Sequence, residues 1–201
     1  MTVTWPPETT RLIDPATAVG PAPVGWLRLR DQPLVVLVGL TGAGKTTLSS
    51  ALSAGGRVTL LPDRRQVTDA VILGDRADQL DRPARFAATA RFRDSAPGGM
   101  GEILAAISVR DHAPCAWLFD GLRGAAEVGF FAAKAPRALF LALSVPDEER
   151  SCRIATRADQ FDGAASGSGL KAAALVAEEA KHYNLEETLS ILATCAPERT
   201  V

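Results

Sequence analysis

Cysteine is scarce in this chain, and the three present, Cys115, Cys152 and Cys195, stand far apart with no C-x-x-C pair. That spacing argues against the disulfide framework that staples small secreted domains, and a reducing cytosol is the expected compartment. Cys115 and Cys152 lie in apolar or amphipathic runs and read as small core residues. The two histidines, His112 and His182, lack the spacing of metal ligands and read as surface or helix-end positions. A surplus of one charge sign is missing too. Lys and Arg number 22 and Asp and Glu 23, for a formal net charge of −1 and a pI near 6.1. Binding to nucleic acid draws on clustered basic residues, so nucleic acid is not an expected partner. The opening MTVTWPPETT has neither a basic n-region nor an apolar h-region, so no secretory signal is expected. No apolar run is long enough to cross a bilayer, and no membrane partner is expected.

What remains is an ordinary globular balance, 47% hydrophobic and 22% charged over 201 residues, enough for one large domain or a domain with a tail. Prolines at 6, 7, 15, 21 and 23 interrupt residues 1–32, which read as an irregular arm with Trp5 and Trp26 as its packing anchors. From Pro33 the pattern changes. Leu34–Val38 is a short β-branched-rich run, the signature of a strand buried on both faces, and is expected at the centre of a sheet. Further strands are predicted at 57–61, 115–119 and 138–145. Helices are predicted at 46–54, 101–109, 125–134, from 146 onward, and at 170–182 and 185–193, with a flexible joint at 162–169. The arginine-rich stretch 64–93 is mixed. Strands alternating with helices predict an α/β fold over 33–201, with a central parallel sheet and helices on both faces. Arg199-Thr200-Val201 fall where such a sheet would gain one more strand.

The most informative stretch is GLTGAGKTT, residues 39–47, directly after the first strand. The spacing Gly39-x-x-x-x-Gly44-Lys45-Thr46 matches a phosphate-binding P-loop, so the 33–201 domain is expected to be a P-loop NTPase. Glycines let backbone N–H groups approach phosphate oxygens, and the following helix presents its positive end to the anion. On this pattern Gly39, Thr41, Gly42, Ala43, Gly44, Lys45, Thr46 and Thr47 form the nucleotide site. Lys45 reaches the β- and γ-phosphates, and the Thr46 hydroxyl joins Mg²⁺. ATP and Mg²⁺ are the expected cofactors.

Other segments narrow the class. A GTPase would carry N-K-x-D after a strand, where this chain has Pro146-Asp-Glu-Glu. No serine-glycine-glycine signature of a transporter ATPase occurs. The strand-ending Asp120 is followed by Gly121, where a large oligomeric ATPase usually has Glu. The stretch Asp120-Gly121-Leu122-Arg123-x-x-x-Glu127-Val128 resembles the D-G-[IL]-R-x-x-x-E-V element of P-loop kinases related to nucleoside monophosphate kinases and dephospho-coenzyme A kinase. Arg153-x-x-x-Arg157-x-Asp159-Gln160 resembles their R-x-x-x-R-x-D-D lid, departing at Gln160, where the family has a second acid. With the loop, these matches span 34–160 in the family's order.

The resemblance implies a kinase that transfers the γ-phosphoryl group of ATP to a small nucleotide-like or phosphorylated acceptor, under a lid near 150–169. Asp120 would hold Mg²⁺ through water or accept the acceptor's proton, and Arg153 and Arg157 would stabilise the transferring group. Arg64, Arg65 and Arg123 are the candidates for acceptor binding. Arg150, three residues before Arg153, stands to join the lid arginines. Plainer readings stand beside these. Arg153 and Arg157 would also make a solvated helix face paired with Glu148 or Glu149, Arg123 a surface ion pair with Glu127, and Asp120 a turn residue. The alternative function is a P-loop ATPase or nucleotide-dependent switch acting on a macromolecule, and the blandest is a binding module without catalysis.

Overall fold

The computed structural model describes residues 5–111, 113 and 115–156, with 187 and 190 as further helical positions. The N-terminal segment is less irregular than its prolines suggest. β1 (Arg11–Asp14) and β2 (Thr17–Val19) form an antiparallel pair, and β3 (Leu27–Arg28) follows. Pro15 lies in the β1–β2 turn and Pro21 and Pro23 lie between β2 and β3, so none is asked to donate a ladder hydrogen bond. Ala16 N–H donates to Asp14 Oδ1 at 2.7 Å across that turn. Trp5 is an anchor as expected. Its ring meets Phe92 edge-on at 5.4 Å, and its Nε1–H donates to Glu102 Oε2 at 3.0 Å. Trp26 lies under the Arg110 guanidinium at 5.4 Å.

β4 (Leu34–Val38) leads into α1 (Lys45–Ala54), which Gly55-Gly56 end, and then into β5 (Val58–Leu60). α2 (Arg64–Thr68) starts at a capping box, Asp63 with Gln66. A π-helical turn, 69–73, buries Val71, Ile72 and Leu73, and a 3₁₀ segment, 74–79, leads to α3 (Arg82–Ser95), capped by Asp81. α4 (Gly99–Ala105) is followed by β6 (Ile107–Val109). Here the expectation of one helix over 101–109 is wrong. Ile107-Ser-Val109 is buried at every position, a pattern that helix and strand share, and what decides is the pairing of β6 between β2 and β3. The small sheet therefore runs β1-β2-β6-β3.

β7 (Ala116–Leu122), α5 (Gly124–Lys134), β8 (Ala138–Ala142) and α6 (Asp147–Ala155) complete the described elements. The fold is α/β: a parallel sheet in the order β5-β7-β4-β8, flanked by helices. β4 is central, with Val36 and Leu37 both at 0% exposure, so its two faces are covered as its unbroken apolar run requires. β7 does not stop at Phe119. Its register against β4 slips between Phe119 and Leu122, so Asp120-Gly121 form an irregularity inside a strand that continues to Leu122. β8 ends at Ala142, short of the expected 145, although Leu143 N–H still donates to Val38 C=O at 2.8 Å.

α4 packs tightly on α5. A Cβ on Gly101 would fall 2.1 Å from the Glu127 carbonyl oxygen, so only glycine permits this approach. Cys115 and Cys152 are exposed, not core residues. Cys115 precedes β7, and on α6 the buried positions are Arg150 and Ile154, which leaves Cys152 on the solvent side. The helices expected at 170–182 and 185–193, apart from helical 187 and 190, lie outside the described residues. So do His112, His182, Cys195, the 162–169 joint and the final three residues.

Candidate functional site

The loop after β4 leaves the C-terminal end of the central strand, where ligands of open α/β sheets collect. Gly42 and Gly44 take φ values of 84° and 94°, left-handed conformations that a side chain would strain. Gly44 also serves as the N-cap of α1, with no side-chain cap and no acid in the first turn. The N-cap thus offers no side-chain acceptor to the first turn of α1, and the helix dipole favours an anion at that point. Lys45 folds back over the loop, donating from Nζ to the Gly39 carbonyl at 2.7 Å and the Leu40 carbonyl at 3.0 Å. Ala43 N–H closes a turn onto Leu40 C=O at 3.2 Å. Thr41 is half-buried, while Thr46 and Thr47 are exposed on the first turn of α1.

α6 is seated directly on this loop. A Cβ on Gly42 would meet the Arg150 carbonyl oxygen at 3.2 Å and Ile154 Cγ1 at 3.3 Å. Arg150, only 2% exposed, donates from Nε to the Thr41 carbonyl at 3.0 Å and from Nη1 to Asp147 Oδ1 at 2.7 Å. Arg153 donates from Nη1 to the Gly42 carbonyl at 3.2 Å and from Nη2 to Glu149 Oε1 at 2.5 Å. The pairing with Glu149 that the plainer reading expects is present, and the same guanidinium also reaches the glycine loop. An Arg153 standing far from the loop until closure is not what the structure shows. The helix that carries it packs on the loop through Arg150 and Ile154, so it is there already. Arg157, with Asp159 and Gln160, lies outside the described residues.

Asp120 sits on β7, the neighbour of β4, level with the last residues before the loop. It is half-buried, and its carboxylate makes no hydrogen bond or ion pair among the described residues. Arg64, at the start of α2, donates from Nη1 to the Gly121 carbonyl at 2.6 Å, beside Asp120. Both of its terminal nitrogens also bond Glu127, at 2.7 and 2.6 Å. Glu127 accepts from Arg123 N–H at 2.8 Å as well, and its side chain is 7% exposed. The plainer reading places Glu127 at the surface; it is instead a buried carboxylate that ties α2 to α5. Arg65 is half-exposed and lies 3.6 Å from Asp69, which also holds Arg85.

The structure brings together the loop, Lys45, Arg153 and, on the adjacent strand, Asp120, with Arg64 held next to that strand at Gly121. Sequence reasoning gave Arg150 only a secondary place, and it placed Glu127 in the kinase-like element or, on the plainer reading, in a surface pair. Charge and spacing carry no sign that either would be buried. Among the described residues no group of three or more His, Cys, Asp or Glu is poised to hold a metal ion by itself. No described helix is long and apolar enough to cross a membrane.

No protein-family model matches the chain, and no curated protein matches it. Among solved structures it is similar to a shikimate kinase from Acinetobacter baumannii in complex with shikimate, with 21% identity, a TM-score of 0.46, and 86% of this chain and 84% of that chain covered. A likeness of that degree bears on neither substrate nor activity.

Proposed function

We propose that this chain is a nucleotide-kinase-like phosphotransferase that moves the γ-phosphoryl group of ATP to a small acceptor, itself nucleotide-like or phosphorylated. One observation carries the reading: the glycine loop with Lys45 and a helix bearing two arginines meet at the same place, with Arg150 and Arg153 bonded to the loop's own carbonyls. Transfer of a phosphoryl group requires positioning and neutralisation of spreading negative charge, and little covalent chemistry from the protein. Lys45 would exchange its carbonyl partners for phosphate oxygens. Loop and first-turn N–H groups from Gly42 to Thr47 would hold the β- and γ-phosphates. Arg153, and Arg157 beyond the described residues, would face the transferring group and exclude water.

Mg²⁺ suits the donors present. It takes one or two protein oxygens alongside phosphate and water, and Thr46 and the Asp120 carboxylate, unengaged among the described residues, are such donors. When bound, it would neutralise charge on the phosphate chain. Asp120 would orient the acceptor hydroxyl or receive its proton. Arg65 and Arg123 would meet the acceptor's phosphate or carboxylate, with Arg64 fixing the wall beside them. A cytoplasmic location accords with this chemistry.

Turnover of ATP against a panel of nucleoside monophosphates and small phosphorylated metabolites tests the proposal. Acceptor-dependent ADP release with a phosphorylated product supports it. ATP hydrolysis that no acceptor accelerates would replace it with the ATPase or switch reading.

A further inference from the structure

Arg150 is a cation in an unusual setting: a guanidinium 2% exposed, reaching from the middle of α6 to a loop 109 residues earlier in the chain. Burying such a group is costly unless its hydrogen bonds are made, and here they are made to the Thr41 carbonyl and to Asp147. In a planar trans peptide the C=O and the following N–H point in opposite directions. A Thr41 carbonyl drawn to Arg150 therefore turns the Gly42 N–H away from α6. That N–H forms no hydrogen bond among the described residues. The next peptide is held likewise, Gly42 C=O by Arg153, while Ala43 N–H stays within the loop on Leu40. The left-handed φ of 84° at Gly42 is the hinge between the two gripped carbonyls.

We infer that Arg150 is a positioning residue for the phosphate loop: by holding the Thr41 carbonyl it presents the Gly42 N–H to the phosphates of a bound nucleotide, and it joins the loop to the arginine helix as one unit. The inference rests on the nucleotide reading above and adds a residue the phosphate need never touch. It differs from a purely structural role in being selective for one loop amide.

The test uses inorganic pyrophosphate as the probe, with the full chain, at a temperature where circular dichroism shows each variant folded. Calorimetry gives the affinity, and amide NMR follows Gly42, Gly44 and Lys45. Arg150→Met keeps the aliphatic stem and removes both bonds. It is expected to weaken pyrophosphate about tenfold, the scale of one lost charge-assisted hydrogen bond. The pyrophosphate-induced shift of the Gly42 amide should vanish while those of Gly44 and Lys45 persist. Arg150→Lys, with one nitrogen for two partners, should fall between wild type and Met. Should the Met variant not fold, a loss of threefold or more in Arg150→Lys supports the inference and an unchanged affinity overturns it. Wild-type affinity in Arg150→Met, or an undiminished Gly42 shift, overturns this inference and leaves the nucleotide reading standing. A wild-type chain that binds neither pyrophosphate nor ATP overturns both.

Discussion

Removing Glu127 should cost this protein more stability than any exposed carboxylate could. Its carboxylate accepts both Arg64 nitrogens, at 2.6 and 2.7 Å, and the Arg123 N–H at 2.8 Å, with Met100 N–H a longer fourth partner at 3.4 Å. Side-chain exposure is 7% for Glu127 and 26% for Arg64. Breaking a buried pair by deleting one partner costs about 3–5 kcal/mol, because the other charge is left without compensation. Arg64 keeps the Gly121 carbonyl and reaches some water, so Glu127→Ala belongs at the low end, about 3 kcal/mol. For a chain of this length that corresponds to a fall in Tm of about 6–12 °C. Arg64→Ala leaves the deeper charge stranded on backbone donors and should cost a similar amount. The double variant should cost clearly less than the sum, with a coupling energy of about 1.5–3 kcal/mol. Urea unfolding of the wild type, both single variants and the double variant measures the cycle. Additivity within about 0.5 kcal/mol would show that the pair is not a unit, and would refute the link between α2 and α5.

Lys45→Ala gives up the Nζ bonds to the Gly39 and Leu40 carbonyls, so it should stay folded with a modestly lower Tm, and it should lose at least about tenfold in ATP affinity or turnover, since one charge-assisted contact to phosphate disappears; unchanged ATP binding and turnover in the folded variant would reject the phosphate-loop assignment. Arg157→Ala, and Arg153→Ala beside it, should lower kcat on the best acceptor by about 10² or more with little change in KM for ATP. Steady-state kinetics decide this, and wild-type turnover in the double variant would return both arginines to a solvated helix face worth about 0–1 kcal/mol. Gly101→Ala should destabilise by about 1–3 kcal/mol through overpacking, because its methyl would land 2.1 Å from backbone that cannot swing aside. A Tm equal to wild type would mean that α4 rides freely over α5.

The parts readable from sequence are those settled within a few residues of themselves. Leu34–Val38 is apolar without alternation, so it needed cover on both faces and found it at the sheet's centre. Gly39 to Thr46 specify a loop that only glycines can bend, followed by a helix start, and that local geometry sets the Lys45 position. Pairing and burial answer to distant partners instead. Nothing in Ile107-Ser-Val109 says that β2 and β3 will flank it, and nothing in a proline-broken arm says that its short strands will find it. Glu127 and Arg150 look like surface charges in the sequence. Each is buried because an opposite or complementary group arrives from 63 and 109 residues away, and without that arrival desolvation would have kept it in water. The amino-acid order alone thus determines the glycine loop and the helix start that follows it. Only the tertiary structure decides which charges are spent holding the loop and its walls, because the free energy of burying a charge depends on the partner that meets it.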